Sequence, residues 1–266
     1  MSDECIHGFV DGLCATCNPK PLPEPVATAR PAARRRVAAP PRATVRSLRA
    51  AARVPLASVP ADTLLEQRIY HLTHVSNLAG MVEQGAIVSR ASPNVDLSTI
   101  ELREDRASIE VPGDTDQFLG DFVPFFLSPD AELWQSLRAG RAHPRLSAAG
   151  RAAEPLDFIF LVSTVRHLGG AQSRFVLADG NAESGTTRFA TTRDESERML
   201  YRLRAEPDSS RLHNGELLVA DRLPLESITL IGVANDKVRS AVREILARSD
   251  FTPKISVYPP WFQPSE

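Results

Sequence analysis

The polar side chains that could carry out chemistry in this chain form a small set. They comprise one carboxylate, one imidazole, one hydroxyl, two amides and one cation: Glu216, His71, Thr73, Asn77, Asn181 and Arg106, with Arg103 as the alternative cation. The sequence shows no second carboxylate clearly paired with Glu216. Such a set suits the breaking of a bond to a charged leaving group better than metal-assisted hydrolysis.

Glu216 stands at the start of an apolar run. The residues after it, 217–220, are typical of a strand, and the polar segment 206–213 before it is typical of a mobile loop. This pattern predicts a carboxylate held at the mouth of a strand and facing a cleft. The alternative interpretation is a solvated glutamate at a strand end.

The other candidates lie on elements that could position them. Residues 68–74 alternate as a strand does, which places His71 and Thr73 on one face. Residues 75–84 then predict a short amphipathic helix that ends at Gly85, a position where a left-handed cap is common. Arg103 and Arg106 share one face of a charged helix predicted over 98–106, and a solvated charged face is the simpler interpretation of that helix.

The rest of the chain predicts short strands with helices between them, without strict alternation. This pattern indicates an α+β fold. The apolar segment 156–164 predicts a central strand, and Pro124 predicts an edge or bulged position for the strand that contains it. Further strands are predicted over 174–179, 227–233 and 255–258, and further helices over 130–138, 194–203 and 236–248.

The cysteines of the chain lie in its first 17 residues. Together with one histidine they supply four ligands, the number that a closed tetrahedral Zn²⁺ site needs: Cys5, His7, Cys14 and Cys17. We therefore expect a small structural zinc knuckle over residues 1–19. The alternative is a disordered segment with free thiols.

Residues 20–60 are rich in proline, alanine and arginine, a composition that predicts a disordered linker. Residues 1–60 hold nine Lys and Arg against four Asp and Glu, whereas the whole chain has a net charge of −2. The basic segment predicts contact with an anionic partner such as nucleic acid, or a solvated spacer. The folded domain is predicted over residues 64–262.

Several classes of protein lose support from the sequence. No run is apolar and long enough to span a bilayer, and the N-terminus lacks a signal pattern. The absence of cysteine after residue 17 argues against a disulfide framework. We therefore expect a cytoplasmic protein without a membrane partner. Glycine-rich nucleotide loops, a nucleophile elbow and a zincin helix are also absent.

The succession of motifs in the domain resembles the DarT-type DNA ADP-ribosyltransferases, the toxins of DarT–DarG toxin–antitoxin pairs. The matching stretches are 69–78 with Gly85, Arg106 ahead of Val111-Pro112, 121–126, 175–182 and 214–219. The spacing of Arg106 to Val111-Pro112 favours it over Arg103. Two positions depart from the pattern: the aromatic strand is altered at Phe122–Leu127, and Asn181 stands where a histidine is expected.

The resemblance implies an ADP-ribosyltransferase-like split β-sheet with flanking helices. It implies a NAD-dependent glycosyltransferase that modifies a base of single-stranded DNA, with a macrodomain antitoxin as a possible partner. His71, Thr73 and Asn77 would hold NAD⁺, Arg106 would be the functional arginine and Glu216 the catalytic glutamate. The alternatives are transfer to protein or RNA, and a non-catalytic protein that binds nucleic acid through the zinc knuckle and arginine-rich segment.

Overall fold

The computed structural model describes residues 64–112, 114–168 and 174–264. The predicted zinc knuckle and linker lie outside the described residues. The helices are α1 (Leu78–Gln84), α2 (Ile100–Ser108), α3 (Glu132–Arg138), α4 (Ala148–Ala152), α5 (Arg193–Ala205), α6 (Ser210–Asn214) and α7 (Asp236–Leu246). The strands are β1 (Arg68–His74), β2 (Ala86–Val88), β3 (Glu110–Val111), β4 (Asp114–Phe118), β5 (Phe122–Phe126), β6 (Phe158–Thr164), β7 (Phe175–Ala178), β8 (Phe189–Ala190), β9 (Glu216–Ala220), β10 (Arg222–Pro224), β11 (Leu230–Val233) and β12 (Lys254–Val257).

Eight of these strands form one sheet in the order β12-β11-β6-β1-β5-β9-β7-β8. Neighbouring strands are antiparallel except β11 and β12, which are parallel. β1 pairs with β6 along its whole length, but β1 and β5 meet only where Tyr70 lies opposite Phe126. The sheet is therefore nearly divided between β1 and β5.

The prediction that Pro124 marks an edge or bulged strand is wrong. β5 lies inside the sheet and pairs with β9 from Phe122 to Phe126. The carbonyl of Pro124 accepts a hydrogen bond from His71 Nδ1 on β1 at 3.0 Å. Because the nitrogen and carbonyl of a strand residue point to the same side, the missing N–H of Pro124 faces the gap beside β1. The proline costs the sheet no ladder hydrogen bond there.

Helices cover both faces of the sheet. Ile159 and Leu161 of β6 pack in one cluster with residues of α1, α5 and α7. Phe158 and Phe160 face the other way and pack with Trp134 of α3 and the C-terminal aromatic residues. The prediction that β6 is a buried central strand is confirmed, because this strand loses solvent access on both faces.

The described helices agree with the sequence pattern in type, with some differences at their ends. Gly85 caps α1 with φ of 62°, as predicted, but residues 75–77 form a 3₁₀ turn before the helix begins. The segment predicted as a loop before Glu216 contains α6. Among the described residues, no helix combines the length and apolar character needed to cross a bilayer.

Candidate active site

Glu216 is the first residue of β9 and lies inside the sheet. It pairs with Phe126 of β5 on one side and with Ala178 of β7 on the other, and only 1% of its side chain is exposed. The residue before it is tightly enclosed: a Cβ on Gly215 would lie 2.7 Å from Leu127 Cδ1 and 3.3 Å from the Ala178 carbonyl. The alternative interpretation of a solvated strand-end glutamate is therefore wrong.

Arg106 reaches Glu216 from the last turn of α2. This helix begins after Thr99, whose hydroxyl caps it by accepting from the Leu102 N–H. Arg106 Nη1 donates to Glu216 Oε2 at 3.0 Å, while Nη2 is buried and has no hydrogen-bond partner among the described residues. Arg103, the other candidate, is half-exposed and pairs with Asp96 instead.

Arg145 binds the other oxygen of Glu216, and sequence reasoning missed it. Its Nη2 donates to Glu216 Oε1 at 3.0 Å, and its Nη1 donates to Asn181 Oδ1 at 2.5 Å. The backbone of Arg145 is fixed as well, because its carbonyl accepts from the N–H of Thr99 at the start of α2. Backbone contacts thus join the segment before α2 to the loop that carries Arg145.

A second carboxylate, Glu183, completes the cluster. It lies 2.6 Å from Arg145 Nε and 3.3 Å from Arg106 Nη1, and 13% of its side chain is exposed. The expectation that Glu216 has no paired carboxylate nearby is therefore wrong, since two arginines link the two glutamates. The only signal for Glu183 was its place two residues after Asn181; nothing in the sequence marked Arg145.

The cluster keeps Glu216 ionised. Burial raises the pKa of its carboxyl, but the charges and hydrogen bonds of Arg106 and Arg145 outweigh burial and hold the pKa below the ordinary 4.5. At neutral pH the site therefore contains a buried carboxylate that can stabilise a cation and accept a proton.

A cavity of about 680 Å³ opens beside this cluster. Its lining includes all five residues that the resemblance assigned to NAD⁺ binding and catalysis, namely His71, Thr73, Asn77, Arg106 and Glu216. Arg145 lines the cavity as well. The volume is in the range of sites that bind small molecules and cofactors, about 300–1,000 Å³. The sequence therefore predicted residues that the fold brings around one cavity, although Asn181 does not line it.

His71 and Thr73 of β1 offer a ligand in the cavity different hydrogen-bonding groups. His71 Nδ1 donates to the Pro124 carbonyl, so the neutral ring carries its other nitrogen, Nε2, as an acceptor. Burial lowers the pKa of His71 below its ordinary 6.5, which favours this neutral form. Thr73 Oγ1 accepts from Asn77 Nδ2 at 3.0 Å, which leaves the hydroxyl hydrogen of Thr73 available to a ligand.

Asn77 holds the wall of the cavity. Its Nδ2 donates to the Val95 carbonyl at 2.9 Å, and its Oδ1 accepts from the Val95 N–H at 3.0 Å. The segment around Val95 lines the cavity, so Asn77 shapes the site through the backbone of that segment.

In the part of the chain that the structure describes, no group of three or more His, Cys, Asp or Glu side chains is arranged so that it could hold a metal ion. Cys5, His7, Cys14 and Cys17 lie outside the described residues, so the zinc knuckle stays a prediction.

Comparison with known proteins decides the family. A family model described as "ssDNA thymidine ADP-ribosyltransferase, DarT" matches residues 70–263. The chain belongs to the DarT family. The resemblance inferred from the sequence is confirmed.

Two curated DarT-like relatives carry the name DNA ADP-ribosyl transferase. The protein of Thermus aquaticus is 24% identical over 195 residues, which cover 71% of this chain and 83% of that protein. The protein of Escherichia coli O127:H6 is 21% identical over 208 residues, which cover 73% of this chain and 92% of that protein. Both matches span most of the relative and leave part of this chain outside the alignment.

Solved DarT structures share the fold. Thermus sp. 2.9 DarT in complex with ADP-ribosylated ssDNA has a TM-score of 0.62 and 22% identity, covering 74% of this chain and 96% of that one. The same protein in complex with NAD⁺ has a TM-score of 0.59 and 23% identity, covering 74% and 98%. Thermosipho africanus DarTG in complex with ADP-ribose has a TM-score of 0.56 and 18% identity, covering 74% and 51%. The prediction of a mixed fold, with helices flanking a β-sheet as in DarT structures, is confirmed, and the sheet is a large one.

Proposed function

We propose that this chain transfers ADP-ribose from NAD⁺ to a base of single-stranded DNA in the cavity beside Glu216. Membership of the DarT family makes it a NAD-dependent DNA ADP-ribosyltransferase. The observation that carries the assignment of this cavity is the ionised Glu216, buried between two arginines at a site that His71 and Thr73 also line.

The residues of the cavity offer NAD⁺ complementary contacts. Thr73 can donate its hydroxyl hydrogen, and neutral His71 can accept through Nε2. Arg106 Nη2, buried and without a partner among the described residues, can donate to a diphosphate oxygen or a base carbonyl. We propose that Asn77 contributes by fixing the backbone of Val95 rather than by contacting the dinucleotide.

The reaction follows from these groups. The bond between ribose C1′ and the nicotinamide nitrogen breaks, its electron pair stays on neutral nicotinamide, and the ribose becomes oxocarbenium-like. The Glu216 carboxylate stabilises that cation and accepts the proton of the attacking base nitrogen as the new bond to C1′ forms. The family description names thymidine, whose only N–H within DNA is at N3, so we propose N3 as the attacking atom.

Single-stranded DNA suits this chemistry because its bases need not be extruded from a duplex.

We propose that the arginine-rich segment 20–60 adds non-specific phosphate contacts, and that Cys5, His7, Cys14 and Cys17 bind structural Zn²⁺. Metal analysis of the full chain against Cys14→Ser tests the zinc site, and zinc-free wild type would remove it.

We propose a toxin role for the chain in the cytoplasm, where NAD⁺ and DNA are both present, with a macrodomain antitoxin as its partner. Similarity to the Thermosipho africanus DarTG structure supports this role. A neighbouring reading frame that encodes a macrodomain, and that relieves growth arrest caused by this chain, is the expected observation.

The decisive experiment incubates the full chain with tagged NAD⁺ and single-stranded oligonucleotides that contain all four bases. We expect ADP-ribose on a base, and we expect Glu216→Gln to slow transfer by about 100-fold or more while the protein stays folded. Undiminished transfer by Glu216→Gln would remove the catalytic assignment of Glu216. The same labelling in a cell lysate separates the acceptors: label that resists nuclease would point to protein, and label sensitive to ribonuclease alone would point to RNA.

A further inference from the structure

Glu183 has no assigned role, yet it contacts both arginines that bind Glu216. It follows β7 in a turn closed by the hydrogen bond from the Ser184 N–H to the Asn181 carbonyl at 3.0 Å. Its carboxylate lies 2.6 Å from Arg145 Nε and 3.4 Å from Arg145 Nη2. The second arginine, Arg106, shares its Nη1 between Glu183 at 3.3 Å and Glu216 at 3.0 Å. Glu183 is therefore built into the cluster.

Among the described residues, Glu183 is connected to the cavity only through the two arginines. It is absent from the lining of the cavity, whereas Arg106, Arg145 and Glu216 all line it. The distances show the same order, since the two guanidinium groups stand between the two carboxylates. A role in direct contact with NAD⁺ is not supported by this placement.

The charges of the cluster show what Glu183 changes. The titratable and charged groups that face Glu216 are Arg106 and Arg145, and with Glu183 the four side chains sum to no net charge. Without Glu183, two cations would surround one carboxylate. The site would then carry a positive charge, which opposes the cation that develops on the ribose and draws the proton affinity of Glu216 down.

We propose that Glu183 is a positioning residue that holds Arg106 and Arg145 against Glu216 and balances their charge. The inference rests on the proposed function of Glu216. Glu183 keeps the catalytic cluster neutral, so that the carboxylate of Glu216 remains a useful base and the site favours a cationic ribose. Its loss therefore affects the chemical step more than the binding of NAD⁺, whose diphosphate is favoured by positive charge.

The test compares Glu183→Gln with wild type in the full chain, at saturating NAD⁺ and single-stranded oligonucleotide. We expect kcat to fall by about tenfold or more, with NAD⁺ affinity by calorimetry unchanged or tighter. The acidic limb of the kcat–pH profile should move to lower pH. Glu183→Asp, which keeps the charge, should retain the wild-type limb and a kcat above that of Glu183→Gln. Glu226→Gln removes one negative charge at an exposed position outside the cavity and should match wild type.

A second pair of variants keeps the proposal testable if Glu183→Gln does not fold. Arg145→Gln makes the cluster negative and should move the acidic limb to higher pH; Arg145→Gln/Glu183→Gln restores neutrality and should move it back toward wild type. The proposal would be overturned if the acidic limb of the kcat–pH profile kept the same pH position in all of these variants. A wild-type kcat in Glu183→Gln would overturn it too. Wild type that never labels DNA would instead overturn the proposed function.

Discussion

Arg145 Nη2 and Glu216 Oε1 are joined by a hydrogen bond of 3.0 Å, although 71 positions separate the two residues in sequence. Arg106 binds the opposite oxygen of the same carboxylate. The carboxylate is therefore held at both oxygens by planar guanidinium groups, which fixes its orientation as well as its charge.

Replacing Arg145 by lysine should disable this arrangement while keeping the positive charge. A single ammonium cannot bind Glu216, Asn181 and Glu183 with the fork geometry of a guanidinium, so we expect Arg145→Lys to lower kcat by about tenfold to a hundredfold. Steady-state transfer to an oligonucleotide measures the effect. Arg141→Lys, at an exposed position in the same loop, is the matched control. Equal kcat in Arg145→Lys and wild type would contradict the need for a guanidinium group at this position.

The ion pairs of Glu216 should make stability depend on pH in a defined direction. Its pKa is below 4.5 in the folded protein because Arg106 and Arg145 outweigh burial. Above pH 4.5 the carboxylate is ionised in both folded and unfolded chains, so its contribution is fully present. Below that pH the unfolded chain takes up a proton that the folded chain does not, and the contribution declines until the folded pKa is reached.

Urea unfolding of wild type and Glu216→Gln at a series of pH values measures this contribution. The free energy of unfolding of wild type minus that of Glu216→Gln should decrease as the pH falls below 4.5. A difference that stays constant or grows on acidification would contradict the lowered pKa of Glu216.

A methyl group on Gly215 should damage both stability and activity. Its Cβ would lie 2.7 Å from the buried Leu127 Cδ1 and 3.3 Å from two backbone carbonyl oxygens, those of Ala178 and Arg211. We expect Gly215→Ala to lower the free energy of unfolding by about 1–3 kcal/mol, and to reduce kcat because Glu216 is the next residue. Thermal unfolding with transfer assays checks this. Gly185→Ala, where a Cβ meets nothing within 4 Å, should leave stability close to that of wild type.

Loss of the Asn77 side chain should loosen the wall of the cavity. Asn77→Ala leaves the N–H and carbonyl of Val95, which are partly buried, without their amide partner, at a cost of about 1 kcal/mol. We expect a higher KM for NAD⁺ with a smaller change in kcat. The exposed Asn94, which donates to the Ser76 carbonyl at 2.8 Å, offers a comparison, and Asn94→Ala should have the weaker effect. A larger effect of Asn94→Ala would place the attachment of this wall elsewhere.

Local sequence patterns predicted many of the strands, helices and caps of this fold, because these features depend mainly on interactions between residues close in sequence. The alternation of β1 indicated which side chains share a face, and Gly85 adopts the left-handed cap expected of it. The position of Pro124 was predicted wrongly because a proline fits inside the sheet only beside the gap between β1 and β5. That gap is a property of the strand topology and not of the local sequence. A proline inside a sheet can be recognised only when the neighbouring strand is known.

The site was predicted in part for the same reason. Glu216, Arg106, His71 and Thr73 lie in motifs with a recognisable order, and the structure brings them around one cavity. Arg145 lies in a polar, alanine-rich loop without periodicity, and Glu183 lies in a turn. Their contacts arise from the docking of that loop against the start of α2, a tertiary event that leaves no local signature.

The attachment of Val95 to Asn77 has a consequence for how the site can diverge. Asn77 binds the backbone N–H and carbonyl of Val95 and makes no demand on the side chain at that position. Because this attachment runs through the backbone, cavity-lining positions of the segment such as Ala91 and Ser92 can change by mutation while the segment remains anchored at the rim of the cavity. We expect variation there to alter which ligand is selected without rebuilding the cluster around Glu216, so this segment is the place to search for differences in specificity among relatives.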